Sequence, residues 1–146
     1  LALAQAGLGH ADEAIANLKS ALTLDPQLLE AHNNLGALLF DKGDYNAAKL
    51  EFARVLERDP TSSSARFNMA RTLAVMGDHV AAIREYEALL AKEPGDVSAR
   101  YQLGLSYAAA GRKSEALTEL SRALQLDRDA TRAAEMRKKV EEIQAK

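Results

Sequence analysis

The chain repeats itself every 34 residues, and that period constrains the fold more than any other feature of its 146 residues. Pro26, Pro60 and Pro94 stand 34 apart. Gly9, Gly43, Gly77 and Gly111 keep the same step through four copies, and so do Ala14, Ala48, Ala82 and Ala116. A unit this short cannot bury its apolar face alone, so successive copies must stack on one another. Copies two to four span residues 29–62, 63–96 and 97–130, and the first is present only in part, as residues 1–28.

Each copy reads as two helices. Gly43 follows the periodic apolar run Leu35, Leu38 and Leu39, where a helix end favours a residue that tolerates positive φ. Asp44 and Asp78 then stand where a carboxylate can cap the next helix. That helix carries apolar residues at helical spacing: Ala48, Phe52, Val55 and Leu56 in one copy, Ala82, Tyr86, Leu89 and Leu90 in the next. Proline closes it, because its ring removes a hydrogen bond and clashes with the preceding turn. No stretch carries a strand signal. Helices are predicted near residues 1–8, 11–24, 29–42, 45–58, 63–76, 79–92, 97–110, 113–126 and 130–144.

The pattern resembles the tetratricopeptide repeat, whose 34 residues run W-x2-L-G-x2-Y, then A-x3-F, then P. Copy two supplies His32, Leu35, Gly36 and Leu39, then Ala48 and Phe52, then Pro60. Copy four supplies Arg100, Leu103, Gly104 and Tyr107, then Ala116 and Leu120. There are departures: the opening aromatic is His32, Arg66 and Arg100, Ala70 replaces a glycine, and Arg128 replaces the last proline. The resemblance covers residues 1–130 and implies an all-α fold, a right-handed α-solenoid of antiparallel helix pairs. Residues 131–146 leave the pattern. Ala133, Met136, Val140 and Ile143 make one apolar stripe there, as expected of a helix that caps the last repeat. Arg137, Lys138 and Lys139 then fall on its solvated side.

Composition narrows the chemistry. A net charge of −2 gives no basic field, so nucleic acid is not an expected partner. No apolar run reaches the roughly 18 residues of a membrane helix, so direct membrane insertion is not expected. The absence of cysteine removes thiolate chemistry and cysteine metal sites. Gly7 and Gly9 lack the strand, third glycine and lysine of a phosphate loop. They read as a helix end and its turn. His10, His32 and His79 fall at different repeat positions, with no zinc-binding spacing. Of these, His32 replaces an aromatic core residue. Glu30 and Asp41 share a helix face, but a rise of about 1.5 Å per residue sets them roughly 16 Å apart. Paired glycosidase carboxylates stand about 5–9.5 Å apart. No catalytic constellation, metal site or cofactor site is expected.

What remains is a helix face the core does not use. On the first helix of copy two the core-facing positions are Ala31, Leu35, Leu38 and Leu39, and the other stripe is Glu30, Asn34, Ala37 and Asp41. Its equivalents are Ser64, Asn68, Arg71 and Val75, then Ser98, Gln102, Leu105 and Ala109. The resemblance implies that first helices line a concave groove, and that Asn34, Asn68 and Gln102 occupy the position whose carboxamides clasp an extended peptide. An amide both donates and accepts, so it can satisfy a peptide N–H and C=O together. Asn33, Phe40, Phe67, Arg71 and Tyr101 flank or join that stripe, with the aromatics as apolar anchors. Ser64 stands where a carboxylate clamp would need a basic residue, which counts against that subtype.

The expected function is therefore a non-catalytic scaffold that binds an extended segment of a protein or peptide partner. Two alternatives remain: a self-assembling spacer, and the repeat arm of a larger enzyme such as a glycosyltransferase. The chain opens at Leu1 rather than at methionine, so it reads as a piece of a longer protein and its compartment stays open. An apolar edge at residues 1–8 is expected to promote self-association.

Overall fold

The computed structural model describes residues 2–146, with side chains from Gly7 onward, so Leu1 lies outside the described residues. Of the expected apolar edge at 1–8, side chains are described only for Gly7 and Leu8. Every regular element described is helical: α1 Ala2–Leu24, α2 Leu29–Asp41, α3 Tyr45–Arg58, α4 Ser63–Val75, α5 His79–Lys92, α6 Val97–Ala109, α7 Lys113–Leu126 and α8 Ala130–Ala145. The fold class is all-α, built from helix pairs of the α-solenoid kind. From α2 onward each helix ends within one residue of its sequence-based bounds.

The turns inside copies two to four rest on glycine and aspartate. Gly43, Gly77 and Gly111 have φ of 84°, 87° and 78°, where a Cβ would strain the backbone. Asp44 then accepts a hydrogen bond from the Ala47 N–H, and Asp78 from Ala81. Each such cap contributes about 1 kcal/mol. Asp96 and Asp129 cap α6 and α8 in the same way. Arg112 stands at the capping position of α7, makes no side-chain cap, and pairs with Glu115 instead.

The start of the chain departs from expectation. Gly9 makes no turn: α1 runs unbroken from Ala2 to Leu24, and Gly9 is not among the glycines of positive φ. The cause is local. The residue after Gly9 is His10, which offers no oxygen to cap a new helix, while Ala11, Ala14 and Ala16 favour continuation. An interior glycine costs a helix only about 1 kcal/mol, so the helix runs through.

The chain divides into two compact units, Leu1–Thr72 and Leu73–Lys146. In the first, α1 packs on α2 and α2 on α3. Its core holds Ile15, Leu35, Leu39, Ala48, Phe52, Val55 and Met69. Gly36 sets the approach of α2 to α3: a Cβ there would lie 2.6 Å from Cε1 of Phe52. Asp12 of α1 pairs with Lys42 just beyond α2.

In the second unit α5 packs on α6, α6 on α7 and α7 on α8, around Ile83, Tyr86, Leu89, Leu103, Tyr107, Leu120 and Met136. Tyr107 donates its phenol to Glu87. Burial and that carboxylate push its pKa up to about 12. Along α8, Ala133 and Met136 are buried, Val140 and Ile143 are half-buried, and Arg137, Lys138 and Lys139 are exposed.

Candidate functional site

Six of the eight residues singled out from the sequence lie in the first unit, on α2 and α4. Asn33 and Asn68 are half-buried, and Asn34 is exposed. Asn68 Nδ2 donates to Asn33 Oδ1 at 3.3 Å, and Asn33 Nδ2 donates to Ser64 Oγ at 2.9 Å. This chain of amides consumes one donor of Asn68 and leaves its Oδ1 free to accept. Asn34 makes no side-chain hydrogen bond among the described residues.

One turn further along, Arg71 places its guanidinium carbon 4.3 Å from the centroid of the Phe40 ring. Phe40 meets Tyr45 edge-on, with centroids 5.2 Å apart and planes at 64°. A pocket of about 90 Å³ lies among Ala37, Phe40, Asp41, Phe52, Asn68 and Arg71. The Phe40 ring holds the Arg71 guanidinium over its face while its N–H groups go to no hydrogen bond among the described residues. The patch thus offers an amide acceptor, an oriented guanidinium, the Asp41 carboxylate and aromatic area. Phe67 on α4 is half-buried.

Tyr101 and Gln102 belong to the second unit, on α6, and both are half-buried. Burial raises the Tyr101 phenol pKa, Lys139 opposes that, and Glu135 and Glu142 add to it. Those three charges sit on α8, so Tyr101 shares its surroundings with the last helix.

Two relationships were missed in the sequence. The residue joined to Asn68 is Asn33, 35 positions earlier, rather than Asn34 at the repeat spacing. A strict 34-residue alignment conceals this pairing. The second concerns His32. It is 6% exposed, as a core position should be, yet its Nδ1 lies 2.5 Å from Glu51 Oε2 and its Nε2 lies 3.1 Å from the Pro26 carbonyl oxygen. In the second unit Arg100 makes the same pair of bonds, to Glu119 at 2.7 Å and to the Pro94 carbonyl at 2.5 Å. The signal was available: Glu51 and Glu119 each follow their basic partner by 19 residues.

Comparison with known proteins agrees with the helix-pair architecture. Tetratricopeptide-repeat family models match residues 5–73 and 78–145. The chain is a tetratricopeptide repeat protein. Among solved structures it is similar to MamA from Desulfovibrio magneticus RS-1, at 25% identity and a TM-score of 0.78, over 98% of this chain and 92% of that one. It is also similar to a tetratricopeptide repeat protein from Parabacteroides merdae, at 21% identity and a TM-score of 0.82, over 96% of this chain and 56% of that one. The type III secretion translocator chaperone SycD of Yersinia enterocolitica matches at 18% identity and a TM-score of 0.76, over 80% of this chain and 83% of that one. The last two likenesses concern the fold alone. No curated protein sequence matches significantly. The repeat family is one of protein-interaction scaffolds. No described helix is long and apolar enough to cross a membrane, and no group of three or more metal-ligating side chains occurs among the described residues.

Proposed function

We propose that this tetratricopeptide repeat protein is a non-enzymatic scaffold that holds an extended segment of a partner protein against its first helices. In the first unit the contacts are Asn33, Asn34 and Asn68 for the peptide backbone, with Phe40, Phe67 and Arg71 for side chains. Tyr101 and Gln102 play the equivalent parts in the second unit. The observation that carries this reading is the amide pair: the Asn68 to Asn33 bond is 3.3 Å long, at the weak end for N–H···O, and it leaves a half-buried acceptor on Asn68, while Asn34 makes no side-chain hydrogen bond among the described residues. A peptide strand can complete both amides at little cost.

The test is retention of partners from a cell lysate by wild-type chain and by the Asn34→Ala/Asn68→Ala variant, with helicity checked by circular dichroism. A protein held by the first and lost by the folded second supports the reading. Equal retention by both removes the amides from it.

A second reading, self-association, draws on α1, where Leu8 is 56% and Leu24 89% exposed. Light scattering across a dilution series tests it: a mass that stays at the monomer value at high concentration excludes it.

A further inference from the structure

Two hydrogen-bond acceptors face the ring of His32. The Pro26 carbonyl can only accept, so Nε2 must carry a proton to bond it at 3.1 Å. Glu51 Oε2 lies 2.5 Å from Nδ1, and the other Glu51 oxygen accepts from Arg54 Nη1 at 2.8 Å. Paired with Arg54 on that side, the Glu51 carboxylate also can only accept. Both bonds are satisfied together when both ring nitrogens are protonated.

The other copies show what this position is built for. Arg100 donates to Glu119 and to the Pro94 carbonyl, and Arg66 donates to the Pro60 carbonyl at 2.8 Å. Both are permanent cations. Only in copy two is the group an imidazole, whose two ring nitrogens can hold one proton or two.

We propose that His32, Glu51 and Pro26 form a proton-dependent latch that ties the turn between α1 and α2 to the body of the first unit. On deprotonation the ring keeps Nδ1–H toward the Glu51 carboxylate, which is the stronger, charge-assisted bond. Nε2 then turns a lone pair toward the Pro26 oxygen, and the turn loses its tie. The charged groups around the ring are Lys19 of α1 and Glu51, Arg54, Glu57 and Arg58 of α3. The step is a single proton leaving Nε2 for water. It acts on α1 and the turn after it, while the arginine ties in the later copies persist.

Native-state hydrogen exchange between pH 5.5 and 8.5, corrected for the intrinsic rate, tests the latch in wild type and in His32→Arg. Protection of residues 19–32 in wild type, relative to residues 97–110, should fall about tenfold or more across that range. In His32→Arg it should stay flat. Nitrogen-15 shifts of the His32 ring, read in wild type alone, should move from the doubly protonated form to the Nδ1–H tautomer over the same interval. Flat protection in wild type, an equal fall in His32→Arg, or a ring that stays in one neutral tautomer throughout would each overturn the proposal. The ring shifts decide the matter even where the arginine variant does not fold.

Discussion

The guanidinium of Arg71 on α4 lies 4.3 Å over the ring of Phe40 on α2, linking the first helices of two successive copies within one unit. A partly exposed stack of this kind contributes about 0.5–1 kcal/mol. A double-mutant cycle with Arg71→Ala and Phe40→Leu, measured by urea unfolding, should return a coupling of that size. A coupling of zero would mean that the two side chains act independently.

Gly36 should resist change although it sits inside a helix. Alanine there gains about 1 kcal/mol of helix propensity. Its Cβ, however, would lie 2.6 Å from Cε1 and 2.9 Å from Cδ1 and Cζ of Phe52, which is only 1% exposed. Overpacking costs about 1–3 kcal/mol, so Gly36→Ala is expected to lower the unfolding midpoint. Gly7→Ala is the control. Nothing lies within 4 Å of its Cβ position, and that variant should be as stable as wild type or slightly more so.

Acid should loosen the start of α8 through Asp127. Arg132 donates to it from Nε at 2.5 Å and Nη2 at 2.8 Å, and the Asp129 N–H adds a bond at 2.9 Å. Chiefly through Arg132, these bonds lower its pKa from the ordinary 3.8 to about 2. A carboxylate with a depressed folded pKa contributes its full stabilisation above the ordinary value and loses it as pH falls toward the folded value. The stability gap between wild type and Asp127→Asn should therefore be constant above about pH 4, shrink as pH falls further, and close only below about 2. A gap independent of pH would show that the carboxylate charge plays no part.

The period made most of the fold readable, because each turn is decided locally. Glycine at positive φ, an aspartate cap and a terminal proline act within a few residues, and all recur in phase. Gly9 departs from that logic: His10 after it caps nothing and the following alanines favour helix, although Gly111 does turn before the equally capless Arg112. The candidate site was readable by position and not by pairing. Asn68 reaches Asn33, 35 positions earlier, and Asn33 reaches Ser64, 31 positions later; neither offset is the repeat period, and a sequence repeat carries no record of them. His32 was recognised as a core residue, but its pairing with Glu51 was not, although the same 19-residue offset recurs between Arg100 and Glu119.

The most direct measurement of the central claim is the affinity of a peptide chosen from a random library on the wild-type chain. It should be titrated calorimetrically against wild type and against folded Asn34→Ala/Asn68→Ala. Each lost amide bond is worth about 0.5–1.5 kcal/mol, so the double variant is expected to bind about 5- to 150-fold more weakly. Equal affinity in the two proteins would contradict the proposal that these carboxamides hold the backbone of a bound partner.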